Sequence, residues 1–300
     1  MARDLAHDVG PRALTRKEEV KMGKVGFIGC GSMGSMLADG FLRAGIIVPE
    51  KIIISNRSAT KLEALANRWK GVTVSSDNRR VARESDLLFI CVKPLDVLPV
   101  LQEIRPDLSI VAHLCSIAGC VTIDDIERQF PGPVTKVIPS LTSEVKEGIS
   151  LVCHNAKVSE SQKERLQNLL AAIGKAVPIK ETDFEVAADL TSCAPGMIAA
   201  IFDNFVQAGI RHSEIPSDVA YRMVVSTLFG TAKLLTERGI DFGEMIRRVA
   251  TKGGITEEGV KVLNRHLPAV FDDVFRSTLS KHDLVKEKIK DMGRIMTLPG

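Results

Sequence analysis

From Lys24 to about Lys180 the chain alternates short apolar runs with amphipathic stretches. The apolar run ending at Ile28, Lys51–Ser55, Val72–Val74, Asp86–Val92, Ser109–Leu114 and Val134–Ile138 read as strands. Met33, Leu37, Phe41 and Ala44 recur at helical spacing, with Gly45 as a C-terminal stop. Leu62, Leu65, Ala66 and Trp69 mark a second helix, Leu95–Ile104 a third, and Thr122 with Asp125 opens another. Ile149–His154 and Lys175–Ile179 flank a helix that starts with the capping box of Ser159 and Gln162. Strand alternating with helix predicts an α/β fold with a doubly wound, mostly parallel sheet.

Beyond Asp183 the pattern changes to long helices, at Asp183–Ser192, Pro195–His212, Ser217–Arg238, Phe242–Thr251, Glu257–His266 and Pro268–His282 or beyond. Pro195 and Pro268 are expected to break the helical run. Ile198, Ile201, Phe202, Phe205, Met223, Val224, Leu228 and Leu235 spread apolar surface around two of these helices, which predicts a homodimer through this half. The expected domains are an extension at residues 1–21, a dinucleotide-binding domain at 22–180 and an all-helical substrate and dimerisation domain at 181–300.

The first strand runs into Gly29, Cys30, Gly31, Ser32, Met33 and Gly34, in which the three glycines have the G-x-G-x-x-G spacing of a Rossmann-like nucleotide site. Strand, glycine turn, helix and strand within about 30 residues is the context that fingerprint requires. At the tip of the second strand, Asn56, Arg57 and Ser58 stand where an NAD-specific site carries an acidic residue. Arg57 can grip an extra phosphate, and the hydroxyls of Ser55 and Ser58 can donate to it, so NADPH is expected over NADH. Cys91, Val92, Lys93 and Pro94 end the fourth strand at the edge where cofactors lie in parallel sheets. Small residues after the fifth, around Ser116 and Ala118, leave room for a nicotinamide ring.

The 300 residues are 45% hydrophobic with a net charge of +3 and 4% aromatic residues, which excludes the basic, aromatic-studded surface of a nucleic-acid binder. No apolar run reaches the 18 or so residues of a membrane span, and the first 21 residues fit neither a signal nor a transit peptide, so a cytoplasmic protein with no membrane partner is expected. Six cysteines, at 30, 91, 115, 120, 153 and 193, lack metal-ligand spacing and read as small buried hydrophobes, with no metal site. In the helical half, Thr251-Lys252-Gly253-Gly254 precedes a helix, and two glycines there make a set of backbone amides able to hold a carboxylate. Thr256 is then either the helix cap or a proton donor facing substrate.

The glycine strand, VKP at Val92–Pro94, SIAG at Ser116–Gly119, VIPS at Val137–Ser140, DLTSCAPG at Asp189–Gly196 and VATKGGIT at Val249–Thr256 together resemble the pyrroline-5-carboxylate reductases. The resemblance runs from about Lys24 to about Leu279. It implies NAD(P)H-dependent reduction of a cyclic imine, 1-pyrroline-5-carboxylate, to proline, on a Rossmann domain followed by a helical domain that dimerises and assembles further. It also implies that Gly29–Gly34 and Cys91–Pro94 bind the cofactor, with Asn56 and Arg57 near its adenosine end and Ser116 and Ala118 at the nicotinamide ribose. Gly253, Gly254 and Thr256 match the loop that receives the substrate carboxylate, and Thr256 the threonine that hydrogen-bonds the imine nitrogen.

The chain departs from the family pattern at Ser140, where an Asn is usual, at Cys193, where a small residue is usual, and at Lys252 in the loop. Glu257 and Glu258 stand in the first helical turn beside the expected anion site. A carboxylate about 6 Å from a substrate carboxylate would repel it by roughly 2–3 kcal/mol at an effective dielectric of about 20. These departures leave two alternatives: an NADP-binding relative acting on another imine, and a non-catalytic regulatory protein. A hydroxyacid dehydrogenase is the least favoured alternative, since such enzymes resemble one another in a lysine on the first long helix of the second domain, and Asp183–His212 contains none.

Overall fold

The computed structural model describes residues 23–296, so the extension expected at residues 1–21 lies outside the described residues. The strands are β1 Lys24–Ile28, β2 Ile52–Ser55, β3 Thr73–Ser75, β4 Ser85–Ile90, β5 His113–Ser116, β6 Val134–Ile138, β7 Gly148–His154 and β8 Gly174–Pro178. They form one sheet in the order β3-β2-β1-β4-β5-β6-β7-β8. Every neighbouring pair is parallel except β6–β7, which is antiparallel. Connecting helices are α1 Ser32–Arg43, α2 Ala59–Arg68, α3 Asn78–Glu84, α4 Pro94–Ile104, α5 Ile123–Glu127 and α6 Glu160–Ala171.

Both faces of the sheet are covered, which is why its central strands read as unbroken apolar runs. Phe27, Ile52, Ile54 and Phe89 face Leu37 and Phe41 of α1 and Leu166 and Leu170 of α6, with the Phe27 and Phe89 rings stacked at 5.0 Å. Ile28, Ile53, Leu88 and Ile90 face the other way, onto Val81, Val97, Leu101 and Ile126. Strand order reverses between β1 and β4, and at such a switch point the carboxyl ends of the strands leave a crevice.

The fifth strand starts later than its apolar pattern suggests. Ala112 N–H donates to the Ser109 carbonyl at 2.9 Å, a turn that leaves Ile110 and Val111 exposed and delays β5 to His113. Two apolar residues in an exposed turn carry the same local signal as the start of a strand.

The remaining elements are α7 Phe184–Ala188, a π-helical turn Asp189–Cys193, α8 Ala194–Arg211, α9 Ser217–Arg238, α10 Phe242–Val249 and α11 Ile255–Met296. Pro195 does not break the helical run. A proline cannot donate to the carbonyl one turn back, here that of Thr191. That carbonyl instead accepts from the Ser140 hydroxyl at 3.3 Å, and the π turn takes up the changed hydrogen-bond register. Pro268 also fails to end its helix: it lies inside α11, which is 42 residues long in all. The lost hydrogen bond and the ring's clash with the preceding turn, together about 3 kcal/mol, are absorbed by a helix propagated over many turns.

Two compact units result, one ending at Cys193 and resuming at Leu279, the other Ala194–Thr278. The packing boundary thus falls later than the Lys180 expected from the change of pattern, because Phe184 and Ala188 are buried against Ile138 and Leu151 of the sheet. The end of α11 also belongs to the first unit, where Ile289, 1% exposed, joins the core beneath α4 and α5. The helical run Glu181–Arg211 is long and apolar enough, by length and composition alone, to cross a membrane, and Asp203 interrupts its apolar character as the sequence reading has it.

Candidate functional site

The loops after β1, β4 and β5 are tied together at the switch point. Gly29 N–H donates to the Ser55 carbonyl at 2.9 Å, Cys91 N–H to the Ile28 carbonyl at 2.7 Å, and Ile117 N–H to the Ile90 carbonyl at 3.2 Å. Gly29 has φ +102°, and a Cβ there would lie 2.5 Å from the Cys91 carbonyl oxygen. A Cβ at Gly34 would strike the Gly29 carbonyl oxygen, whereas at Gly31 nothing lies within 4 Å. The turn is therefore packed shut on the protein side and open at Gly31. The first amides of α1, those of Ser32, Met33 and Gly34, have no carbonyl within the helix to bond. No acidic residue occupies its first turn. These features fit the diphosphate of a dinucleotide.

Cys30 faces inward: its N–H donates to Asn56 Oδ1 at 3.0 Å and its Sγ lies 3.0 Å from Ser35 Oγ. Asn56 thereby ties the tip of β2 to the glycine turn. Arg57 is exposed and donates to Asp96 at 3.2 Å, and Ser58 sits exposed at the N-cap position of α2 without a side-chain cap bond. An exposed ion pair of this kind is weak, so a phosphate can take Arg57 over. Ser55 cannot contribute as expected, because its hydroxyl is buried and donates to Asn78 Oδ1 at 2.7 Å.

Pro94 begins α4 with exposed Lys93 as its N-cap residue, and Val92 is half-buried. Cys91 is buried, which pushes its thiol well above the usual range. Ser116 and Ala118 are buried too, the Ser116 hydroxyl accepting from Ala118 N–H at 3.4 Å, and half-buried Ile117 packs against the core. Not every cysteine is a buried hydrophobe: Cys193, in the π turn, is exposed, and Cys153 is half-buried. Among the described residues no cluster of three or more His, Cys, Asp or Glu side chains has metal-binding geometry.

In the helical unit Gly253 has φ +74°, and Gly254 N–H donates to the Thr251 carbonyl at 2.9 Å. Gly253 N–H donates to Glu257 Oε2 at 2.8 Å. α11 starts at Ile255, so Thr256 is its second residue and exposed; it is not the cap. That leaves its hydroxyl available as a donor.

Two polar features within the sheet escaped the sequence reading. Lys136, 1% exposed, pairs with Glu181 at 3.0 Å and lies over the Phe184 ring, pinning the segment after β8 to the sheet. A lone charge inside VTKVI was its only signal. Thr135 Oγ1 bridges His113 Nε2 at 2.6 Å and His154 Nδ1 at 2.7 Å across three adjacent strands. A cavity of about 840 Å³ includes none of the glycine turn; its charges, such as Arg128 with Asp125 and Lys286 with Glu185, pair with one another.

Residues 24–117 match the family model of NADP oxidoreductases, coenzyme F420-dependent, and residues 181–284 that of pyrroline-5-carboxylate reductase dimerisation. The pyrroline-5-carboxylate reductase 3 of Bacillus subtilis (strain 168) is 37% identical over 269 residues, which span 89% of this chain and 98% of that one. The chain belongs to the pyrroline-5-carboxylate reductase family. The ComE operon protein 4 of the same bacterium is 32% identical over 87% of this chain and 95% of its own. The crystal structure of the Plasmodium falciparum pyrroline carboxylate reductase with NADP bound is similar at a TM-score of 0.76 and 26% identity, covering 90% of this chain and 98% of that one. The family's dimerisation model begins at residue 181, where the pattern of the sequence changes.

Proposed function

We propose that this protein is a cytoplasmic, homodimeric NADPH-dependent reductase that converts 1-pyrroline-5-carboxylate to proline. The observation that carries the reading is the glycine turn, closed at Gly29 and Gly34 and open at Gly31, in a chain that matches a named reductase over nearly its whole length. When bound, the cofactor supplies hydride to the carbon of the C=N bond. The amides of Ser32, Met33 and Gly34 hold the diphosphate, and Arg57 with Ser58 grips the additional phosphate that distinguishes NADPH from NADH. The segments Cys91–Pro94 and Ser116–Ala118 border the nicotinamide end.

In the helical unit, the loop Gly253–Gly254 receives the substrate carboxylate, through the Gly253 amide in place of its bond to Glu257, since the Gly254 amide is held by the Thr251 carbonyl, and the Thr256 hydroxyl hydrogen-bonds the imine nitrogen. A protonated imine is already electrophilic, so no strong acid is needed and the chain's task is orientation, which contributes several kcal/mol. The absence of a candidate His or Lys in this loop beyond exposed Lys252 accords with that chemistry.

The test is steady-state oxidation of NADPH with pyrroline-5-carboxylate. Thr256→Val is expected to lower kcat by about a hundredfold, the usual effect of removing one well-placed donor. Arg57→Ala is expected to raise KM for NADPH while leaving that for NADH unchanged. No turnover above the enzyme-free rate in the wild-type protein overturns the reading.

A further inference from the structure

We infer that Glu257 is a specificity-determining residue: its carboxylate occupies the Gly253 amide that a carboxylated imine must use, and so weakens binding of such substrates relative to uncarboxylated ones. The inference rests on the assignment of the Gly253–Thr256 loop to the substrate. The two glutamates that open α11 behave differently. Glu258 is 71% exposed and turns outward to Lys261, 2.7 Å away. Glu257 is only 33% exposed, lies 3.6 Å from the same lysine, and folds back one helical turn to accept from Gly253 N–H at 2.8 Å.

The left-handed backbone at Gly253, φ +74°, fixes the direction of this N–H. A carboxylate oxygen of Glu257 thus stands in for the substrate carboxylate on the same donor. A substrate anion entering the loop has to displace that oxygen or sit beside it, and like charges at such separation repel. Lys261 divides its charge between both glutamates and does not cancel that of Glu257. An imine ring without a carboxylate neither competes for the amide nor meets the repulsion. Discrimination by an opposing charge is a common device of specific sites.

The experiment compares KM for pyrroline-5-carboxylate and for 1-pyrroline, the same ring without the carboxylate, in the wild type, Glu257→Gln, Glu257→Ala and Glu258→Gln. Glu257→Gln keeps an acceptor for Gly253 N–H and removes only the charge, while Glu257→Ala removes both. Each is expected to lower KM for pyrroline-5-carboxylate by about tenfold, equivalent to roughly 1.4 kcal/mol, with KM for 1-pyrroline unchanged. Glu258→Gln is expected to change neither. Unchanged KM for the carboxylated imine in both folded Glu257 variants overturns the inference. A separate variant tests the loop itself: if Gly253→Ala alters KM for the two imines equally, the loop does not receive the carboxylate, and the underlying assignment fails instead.

Discussion

Gly31 and Gly34 sit three residues apart and do opposite things. A side chain at Gly34 collides with the backbone of the turn, whereas one at Gly31 enters open space. Gly34→Ala is therefore expected to destabilise the fold by about 1–3 kcal/mol. Gly31→Ala is expected to leave the melting temperature unchanged and raise KM for NADPH; thermal denaturation with and without cofactor separates the two. His113 makes a second prediction at this scale. Burial is the main cause that lowers its pKa to about 3, aided by the nearby charges of His154 and Arg165, so the folded protein keeps it neutral. In the unfolded chain it titrates near 6.5 and binds the proton sooner. Its contribution to stability is thus fully present above pH 6.5 and lost as pH falls toward 3. His113→Asn is expected to flatten that part of a stability-against-pH curve measured by urea unfolding. The glycine spacing was legible in the sequence; the histidine was not, because only strand order brings positions 113, 135 and 154 side by side.

Among the elements, the two prolines expected to break helices are both incorporated. For Pro195 the reason is a residue 55 positions earlier: Ser140 supplies the hydrogen bond that proline cannot. Ser140→Ala removes that donor to the Thr191 carbonyl, with an expected loss of about 1–3 kcal/mol by chemical denaturation. Two capping boxes, by contrast, were read correctly from sequence alone, whereas Ser58 makes no cap bond and Thr256 is not a cap. Thr122 with Asp125 and Ser159 with Gln162 each form a complete capping box, because such a box involves residues within one turn. Helix starts are local events, and helix continuity is decided by distant donors.

At the scale of the whole molecule, the helical unit carries an apolar surface that the single chain leaves uncovered. Phe205 on α8 and Phe229 on α9 are 65% and 69% exposed, among other exposed apolar residues of the same helices. A folded chain gains by covering such residues with a partner, and this stretch lies within the family's dimerisation model. The double variant Phe205→Asp, Phe229→Asp is expected to sediment as a monomer under conditions where the wild type is a dimer. Sedimentation velocity decides this, and a variant that remains dimeric places the interface elsewhere.

The sequence by itself determined the alternation of strand and helix, the glycine turn and the change to helices near residue 181. Each is written in residues close together along the chain, as a period, a cap or a glycine spacing. Tertiary structure alone decided that Ser55 is spent on Asn78, that Lys136 and Glu181 meet inside the first unit, and that Phe184 and Ile289 belong to its core. Such pairings join residues far apart in the chain, and no local pattern records which distant side chain will satisfy a buried polar group or fill a gap between helices.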